Sequence, residues 1–414
     1  MCDFSNIINL LPRMLSGKEL TEALKIVPKY DPEICTETVP MRLTALSDLY
    51  RIYIPSQMSV EIYSKLYLAL LRSIQKKGTK LAIRQQNQNH RAILQQEYSG
   101  IIGGSDSFTI IGTSGIGKSS AISRAIQLMT ENRVIEVANP YCKVAPCIVV
   151  QCPFDSSVKG LLLEVLRKVD EVLESTYYQN ALRARATTDM LIGSVSQVAL
   201  HHIGLLVVDE IQNVANSKNG KSLIGSLTQL INNSGISICM VGTPESTRFF
   251  EQAMQLARRS VGLQYTAMKY DDQFQTLCKV LFQYQYTQNR TEITDGMIEW
   301  LYEHSAGVTS VAVALIHDAQ EIAILNGTET LNLEVLNKAY QQRLSLLHGY
   351  IEPSVLPKKQ TSQTKKKQVN AVMETTSAIE DDVSIAEVVA RAKETGMDII
   401  KLMREHFPVT EVRI

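Results

Sequence analysis

Neither sign of charge is in excess. The 42 lysines and arginines are matched by 42 aspartates and glutamates among 414 residues, so the chain has no net attraction for nucleic acid and any DNA contact must come from local clustering. No apolar run is long enough to span a bilayer, and the opening MCDFSNIINLLPRM lacks a basic start followed by an apolar stretch, which predicts a cytoplasmic protein with no membrane partner. Cysteine is sparse and odd in number, seven in all, which argues for a reducing compartment. Cys142, Cys147 and Cys152 recur every five residues; that is not a zinc-ligand spacing, and buried core thiols are the expectation. No internal repeat is evident.

What the chain does have is GTSGIGKSS, Gly112 to Ser120, directly after the apolar run Phe108, Thr109, Ile110, Ile111. It fits the G-x-x-x-x-G-K-[S/T] phosphate loop without mismatch. A strand delivers the chain to a loop whose glycines let backbone N–H groups face phosphate, and the following helix adds its positive dipole end. Residues Gly112, Thr113, Ser114, Gly115, Ile116, Gly117, Lys118, Ser119 and Ser120 are therefore the candidate ATP-binding set, with Lys118 reaching the outer phosphates and Ser119 ligating Mg²⁺. A chance glycine-rich turn is the competing explanation, and the flanking strand and helix count against it.

Four β-type runs alternate with helical patterns, at 108–111, 147–151, 203–209 and 236–242, which predicts an α/β fold with a parallel sheet covered by helices on both faces. The third run ends in LLVVDE: four apolar residues, then Asp209 to hold Mg²⁺ and Glu210 to act as general base or to orient the attacking water. Two acids at a strand end also suit a solvated turn; a phosphate loop about ninety residues upstream favours the catalytic assignment. The fourth run ends in VGTPES, placing Thr243 where it could help position water, although a Pro244 turn accounts for the same residues. Arg258 and Arg259 in QLARRSVG could project a cation into a neighbouring subunit's nucleotide or stabilise a helix C-terminus.

Length predicts two or three structural units. Residues 1–57, broken by five prolines, read as an irregular N-terminal arm. Residues 58–268 form an ATPase core opening with a helix from Gln57 to Gly78, whose Ile62, Leu66, Ala69, Leu70 and Ile74 recur at helical spacing. Residues 269–350 read as an α-helical lid, 351–383 as a Lys-rich flexible linker, and 384–414 as a helical tail suited to capturing a partner or to folding back.

In this order these features resemble an AAA+ ATPase. FTIIGTSGIGKSSAISRAIQL, CPFDSSVKGLLLEVLRKVDEVL, HHIGLLVVDEIQNV, VGTPES, QLARRSVG and FQYQY further resemble TnsC-type regulators of TnsABC-type transposons, including CRISPR-associated ones, over roughly residues 60–345. The resemblance implies an ATP-dependent regulator that forms a homo-oligomeric ring or filament on double-stranded DNA of any sequence. It implies a TnsD- or TniQ-type target selector and a TnsA/TnsB-type transposase as partners, slow hydrolysis that dismantles the assembly, and a bacterial, nucleoid-associated location. By the same resemblance Thr243 is sensor one and either Arg258 or Arg259 acts in trans. Lys159, Arg183 and Arg185 are candidate contacts to DNA phosphates, though each also suits a solvated helix surface. One departure stands out: Thr309 and Ser310 occupy the start of a lid helix where many AAA+ proteins carry an arginine. The alternative function is a replication initiator or helicase loader of the same superfamily.

Overall fold

The computed structural model describes residues 4–77, 107–138, 141–155, 157–215, 220–247 and 262–345. The Lys-rich linker, the C-terminal tail, Arg258 and Arg259 lie outside the described residues.

The proline-punctuated start folds as short pieces: α1 (Phe4–Leu10), α2 (Gly17–Leu24), a 3₁₀ turn at Pro32–Thr36, α3 (Val39–Ala45) and a second 3₁₀ turn at Leu46–Arg51. Next comes α4 (Gln57–Lys77), whose five apolar residues at helical spacing are all buried. Lys76 in its last turn complements the helix dipole. The α/β core follows with β1 (Phe108–Gly112), α5 (Lys118–Thr130), β2 (Ile135–Ala138), β3 (Tyr141–Gln151), α6 (Val158–Leu173), α7 (Tyr177–Arg183), α8 (Thr188–His202), β4 (Ile203–Asp209), α9 (Gln212–Ala215), α10 (Gly220–Ser234), β5 (Ser237–Gly242) and β6 (Leu263–Tyr265). The lid is α11 (Asp272–Gln283), α12 (Asp295–Ser305), α13 (Thr309–Leu325) and α14 (Leu333–Arg343).

The sheet order is β2-β3-β4-β5-β1-β6. Strands β3, β4, β5, β1 and β6 are parallel, but β2 runs antiparallel to β3, pairing Ile135 with Val144 and Val137 with Cys142. The sheet is thus mixed rather than wholly parallel. Only residues 139–140 separate β2 from β3, far short of the dozen or more a parallel crossover needs. β1, β4 and β5 are buried on both faces, as their near-continuous apolar runs require.

Three apolar clusters hold these layers. One face of the sheet packs against α6, α8 and α10 through residues such as Leu166, Val195 and Leu227. The other packs against α4 and α5, and α1 and α2 add Ile7, Leu20 and Leu24 to it. The lid has its own cluster, which takes in Leu46, Leu49 and Ile52 of the arm. Each such buried side chain contributes about 1.5–3 kcal/mol by leaving water. The arm therefore serves two cores, and it crosses between them where Ile26 and Tyr53 form an antiparallel bridge, with N–H to O distances of 2.9 and 2.8 Å.

Cys152, Cys239 and Cys278 are buried free thiols, and burial pushes Cys147, Cys152 and Cys278 up to about 12, so they stay protonated at neutral pH. Cys142 departs from the expectation of core thiols, because it is disulfide-bonded. Among the described residues no single helix is long and apolar enough to cross a membrane.

Candidate nucleotide site

The parallel strands deliver their C-terminal ends to one edge of the sheet, the edge at which open α/β sheets bind ligands. There β1 ends in Gly112 and the loop turns through Gly115 (φ +80°) and Gly117 (φ +92°), backbone values that side chains disfavour, before α5 begins at Lys118. Gly112 has no room for a side chain either: a Cβ would lie 2.8 Å from Ile116 Cδ1 and 2.9 Å from the Tyr265 carbonyl. Lys118 Nζ donates to the carbonyls of Gly112 (2.6 Å) and Thr113 (2.9 Å). Burial lowers the pKa of this ammonium, while the charges of Asp209, Glu210 and Glu245 pull it the other way.

Ninety residues further on, β4 brings Asp209 to the same place, and Ser119 Oγ donates to Asp209 Oδ2 at 3.2 Å. A hydroxyl and a carboxylate side by side at the end of a phosphate loop are the oxygen donors that Mg²⁺ takes when it also binds phosphate. The residues present thus fit ATP with Mg²⁺. The other oxygen of Asp209 accepts the Glu210 N–H at 2.8 Å.

Glu210 itself has φ +59°, uncommon for a residue with a side chain. Its neighbours impose that conformation: Ile211 N–H donates to the Val241 carbonyl at 3.0 Å, and Asn213 N–H to the Glu210 carbonyl at 3.0 Å. Backbone held this way costs about 1–3 kcal/mol and persists where its surroundings over-determine it. The Glu210 carboxylate accepts from Gln212 Nε2, while Gln212 Oε1 accepts the Thr243 N–H at 3.3 Å. Thr243 Oγ1 donates to Glu245.

These groups surround a cavity of about 260 Å³ lined by Ser114, Gly115, Gly117, Lys118, Ser119 and Ser120 of the loop and by Asp209, Glu210 and Thr243 from β4 and β5. Gln212, Gly242 and Ser310 complete the wall. Of the remaining expected residues, Gly112 and Thr113 sit at the base of the loop holding Lys118, and Ile116 faces the second cavity.

That second cavity, about 580 Å³, is mainly apolar and opens beside Gly115, Gly117 and Ser120. Three parts of the chain build it: the arm with Tyr53, Ile54 and Pro55, the end of β6 with Tyr265, and the lid with Thr276, Val280 and Val313. Tyr265 OH donates to Glu61 Oε2 at 3.0 Å, fixing the ring to α4. The lid touches the phosphate loop directly, since Ser310 N–H (3.1 Å) and Thr309 Oγ1 (3.0 Å) both donate to the Gly115 carbonyl. Thr309 and Ser310, at the start of the lid helix, thus cap the phosphate loop.

The arm's share of this cavity has no motif in the sequence. Gln212 stands in the sequence only as part of DEIQN, and its partners follow the ends of two different strands. Lys159 is exposed in the first turn of α6, Arg183 is exposed at the end of α7, and Arg185 is exposed in the turn after it with φ +48°. None of the three forms an ion pair with a described residue, and no contact joins them to the nucleotide cavity.

Residues 102–250 match the protein-family model described as an AAA domain. No curated protein sequence matches the chain. Among solved structures, the Aeropyrum pernix ORC1 protein in complex with DNA is similar over 62% of this chain at 15% identity, with a TM-score of 0.42. The match spans 64% of that protein's own chain, just under two thirds. The Aeropyrum pernix ORC2 protein in its ADP form is similar over 78% of this chain and 76% of its own, at 16% identity and a TM-score of 0.41. Drosophila ORC bound to DNA is similar over 96% and 83%, at 12% identity and a TM-score of 0.45. The architecture is the AAA+ P-loop ATPase fold, six mostly parallel strands flanked by helices.

Proposed function

We propose that this chain is an ATP-hydrolysing switch that assembles on duplex DNA and regulates transposition in the manner of the TnsC-type proteins its sequence blocks resemble. The observation that carries the ATPase part is the 3.2 Å hydrogen bond joining Ser119 to Asp209 beside Glu210 and Thr243 on one cavity. The regulatory part rests on the resemblance of CPFDSSVKG, DEIQN and ARRSVG.

In this reading the base and ribose enter the larger cavity between arm and lid, and the phosphates meet the loop N–H groups at the positive end of α5. Lys118 exchanges the carbonyls of Gly112 and Thr113 for outer phosphate oxygens. Ser119 and Asp209 hold Mg²⁺, which when bound offsets phosphate charge. Glu210 orients the attacking water and accepts its proton, with Thr243 as the polar group on the facing strand end. Arg258 or Arg259 reaches the nucleotide of a neighbouring copy. Lys159, Arg183 and Arg185 hold DNA phosphates rather than base edges, so losing one of them lowers the salt slope of binding by about one without changing sequence preference. The target selector and the transposase bind the assembled form.

The test uses Glu210→Gln, which keeps the shape and removes the base, with Lys118→Ala as the control that blocks nucleotide-dependent assembly. With ATP and Mg²⁺, Glu210→Gln forms oligomers on duplex DNA of arbitrary sequence that persist in sedimentation and electron microscopy. A protein that stays monomeric on DNA under those conditions sinks the proposal. Retention on one particular duplex sequence only, with no assembly on arbitrary DNA, would favour a replication initiator instead.

A further inference from the structure

Gln212 has no role in the scheme above, yet its side chain touches both Glu210, just beyond β4, and Thr243, just beyond β5. It lies in the first turn of α9, immediately beyond the end of β4, and lines the 260 Å³ cavity. Its Nε2 donates to Glu210 Oε2 and its Oε1 accepts the Thr243 N–H at 3.3 Å. The fit around it is close: a Cβ on Gly242 would lie 2.6 Å from Ser246 Oγ, 2.7 Å from Ile211 Cγ2 and 3.2 Å from Gln212 Oε1, so the glycine at 242 leaves room at this strand end.

From this bridge we infer that Gln212 is the positioning residue of Glu210: it ties one carboxylate oxygen to the end of β5 and leaves the other for the attacking water. The inference rests on the proposal that the site hydrolyses ATP. An exposed glutamate side chain samples several rotamers, and a base contributes only from the geometry that meets the water. One donor on Oε2 removes that freedom without neutralising the carboxylate. The amide suits the task because it carries a donor and an acceptor on one rigid plane, so Glu210 and the backbone of Thr243 are held as one unit. An alanine loses both bonds. A glutamate at position 212 keeps the size and the acceptor for Thr243 N–H but turns the donor facing Glu210 into a like charge.

The experiment measures steady-state ATP hydrolysis and, separately, the affinity for a fluorescent ATP analogue in the full chain, for wild type, Gln212→Ala and Gln212→Glu, each also in a Glu210→Gln background. Positioning predicts that kcat falls tenfold or more in both variants, that KM and analogue affinity stay within about threefold of wild type, and that neither variant lowers the residual rate of Glu210→Gln further. A purely structural role at the β5 end predicts instead that Gln212→Glu, which keeps the Thr243 bond, behaves as wild type. That result, or a rate that rises in either variant, overturns the inference. If Gln212→Ala does not fold, the near-isosteric Gln212→Glu carries the comparison alone. A wild-type chain that binds the analogue but hydrolyses no ATP removes the ATPase proposal itself, an outcome distinct from wild-type hydrolysis with an indifferent Gln212.

Discussion

Removing the guanidinium of Arg42 should unfasten the N-terminal arm from the lid. Arg42 on α3 is 1% exposed, and its two Nη atoms meet the two carboxylate oxygens of Glu329 at 2.6 and 2.7 Å, 287 residues away in sequence. Nη1 also donates to the Tyr286 carbonyl at 3.0 Å and Nε to the Glu37 carbonyl at 3.1 Å. Glu329, 12% exposed, has one other donor, the Gln288 N–H at 3.1 Å. Arg42→Ala therefore strands a carboxylate that is largely out of water, and breaking a buried pair this way costs about 3–5 kcal/mol. Urea denaturation should show that loss, with hydrogen exchange faster in 28–52 and 285–331 than in the sheet. The hydrogen bond from Arg42, ahead of the opposing burial, holds the Glu329 carboxyl below the usual range. The pair's contribution is accordingly present above the unfolded value of 4.5 and lost as pH falls through the folded value. In Arg42→Ala that acid-side loss shrinks. A change below about 1 kcal/mol, or exchange that speeds up equally in the sheet, would refute the assignment of the arm to the lid, since that is the range of exposed pairs.

Two further substitutions test other parts of the same fold. Lys77, buried at the end of α4, donates to the carbonyls of Ala199 (2.6 Å) and Ile203, and burial brings it down to about 7 from 10.5. Its neighbour His201, lowered to about 4 by burial, then by His202 and Lys77, is uncharged in that window. The unfolded chain thus binds the extra proton between pH 7 and 10.5, so stability rises with pH there, by on the order of 4 kcal/mol. Lys77→Met should melt above wild type at pH 6.5 with the gap closing by pH 10; a gap that does not change with pH contradicts the argument. Gly115→Ala places a Cβ against Ser310 Oγ and 2.9 Å from Val308 Cγ1 at φ +80°. Titration with a fluorescent ATP analogue should find affinity reduced tenfold or more while the melting temperature moves little, and unchanged affinity would show that the lid yields freely.

The parts legible in the sequence are those whose physics is local. Glycines at 115 and 117 announce positive φ, and LLVVDE announces a buried strand with acids at its end; each needs only its neighbours in the chain. β2 and β6, four and three residues long, carry no pattern of their own and are strands because β3 and β1 offer them edges. Proline spacing showed that the arm would form short helices but not which core they would join, because that depends on Arg42 finding Glu329 and on Tyr284 OH donating to the Pro28 carbonyl at 2.5 Å. Gln212 illustrates the same limit within a motif. Its residue type was in view, but its function as a bridge exists only because β5 is the neighbour of β4.

The arm's division between two cores bears on the proposed nucleotide switch. Residues up to Leu24 pack with the α/β core, residues from Tyr30 to Ile52 pack with the lid, and α4 returns to the α/β core. Both crossings occur at the Ile26 and Tyr53 bridge, and Lys25, Tyr53 and Ile54 line the larger cavity. Among the described residues, the lid's hydrogen bonds to the phosphate loop are the two at Gly115. A ligand in this cavity would touch the α/β core, the lid and the crossing segment together, so its binding energy would depend on how these walls are placed. A ligand shifts such an equilibrium only by its difference in affinity for the two arrangements. Walls drawn from both the core and the lid are what would supply that difference, whereas a site built wholly within the α/β core would bind nucleotide without reporting it.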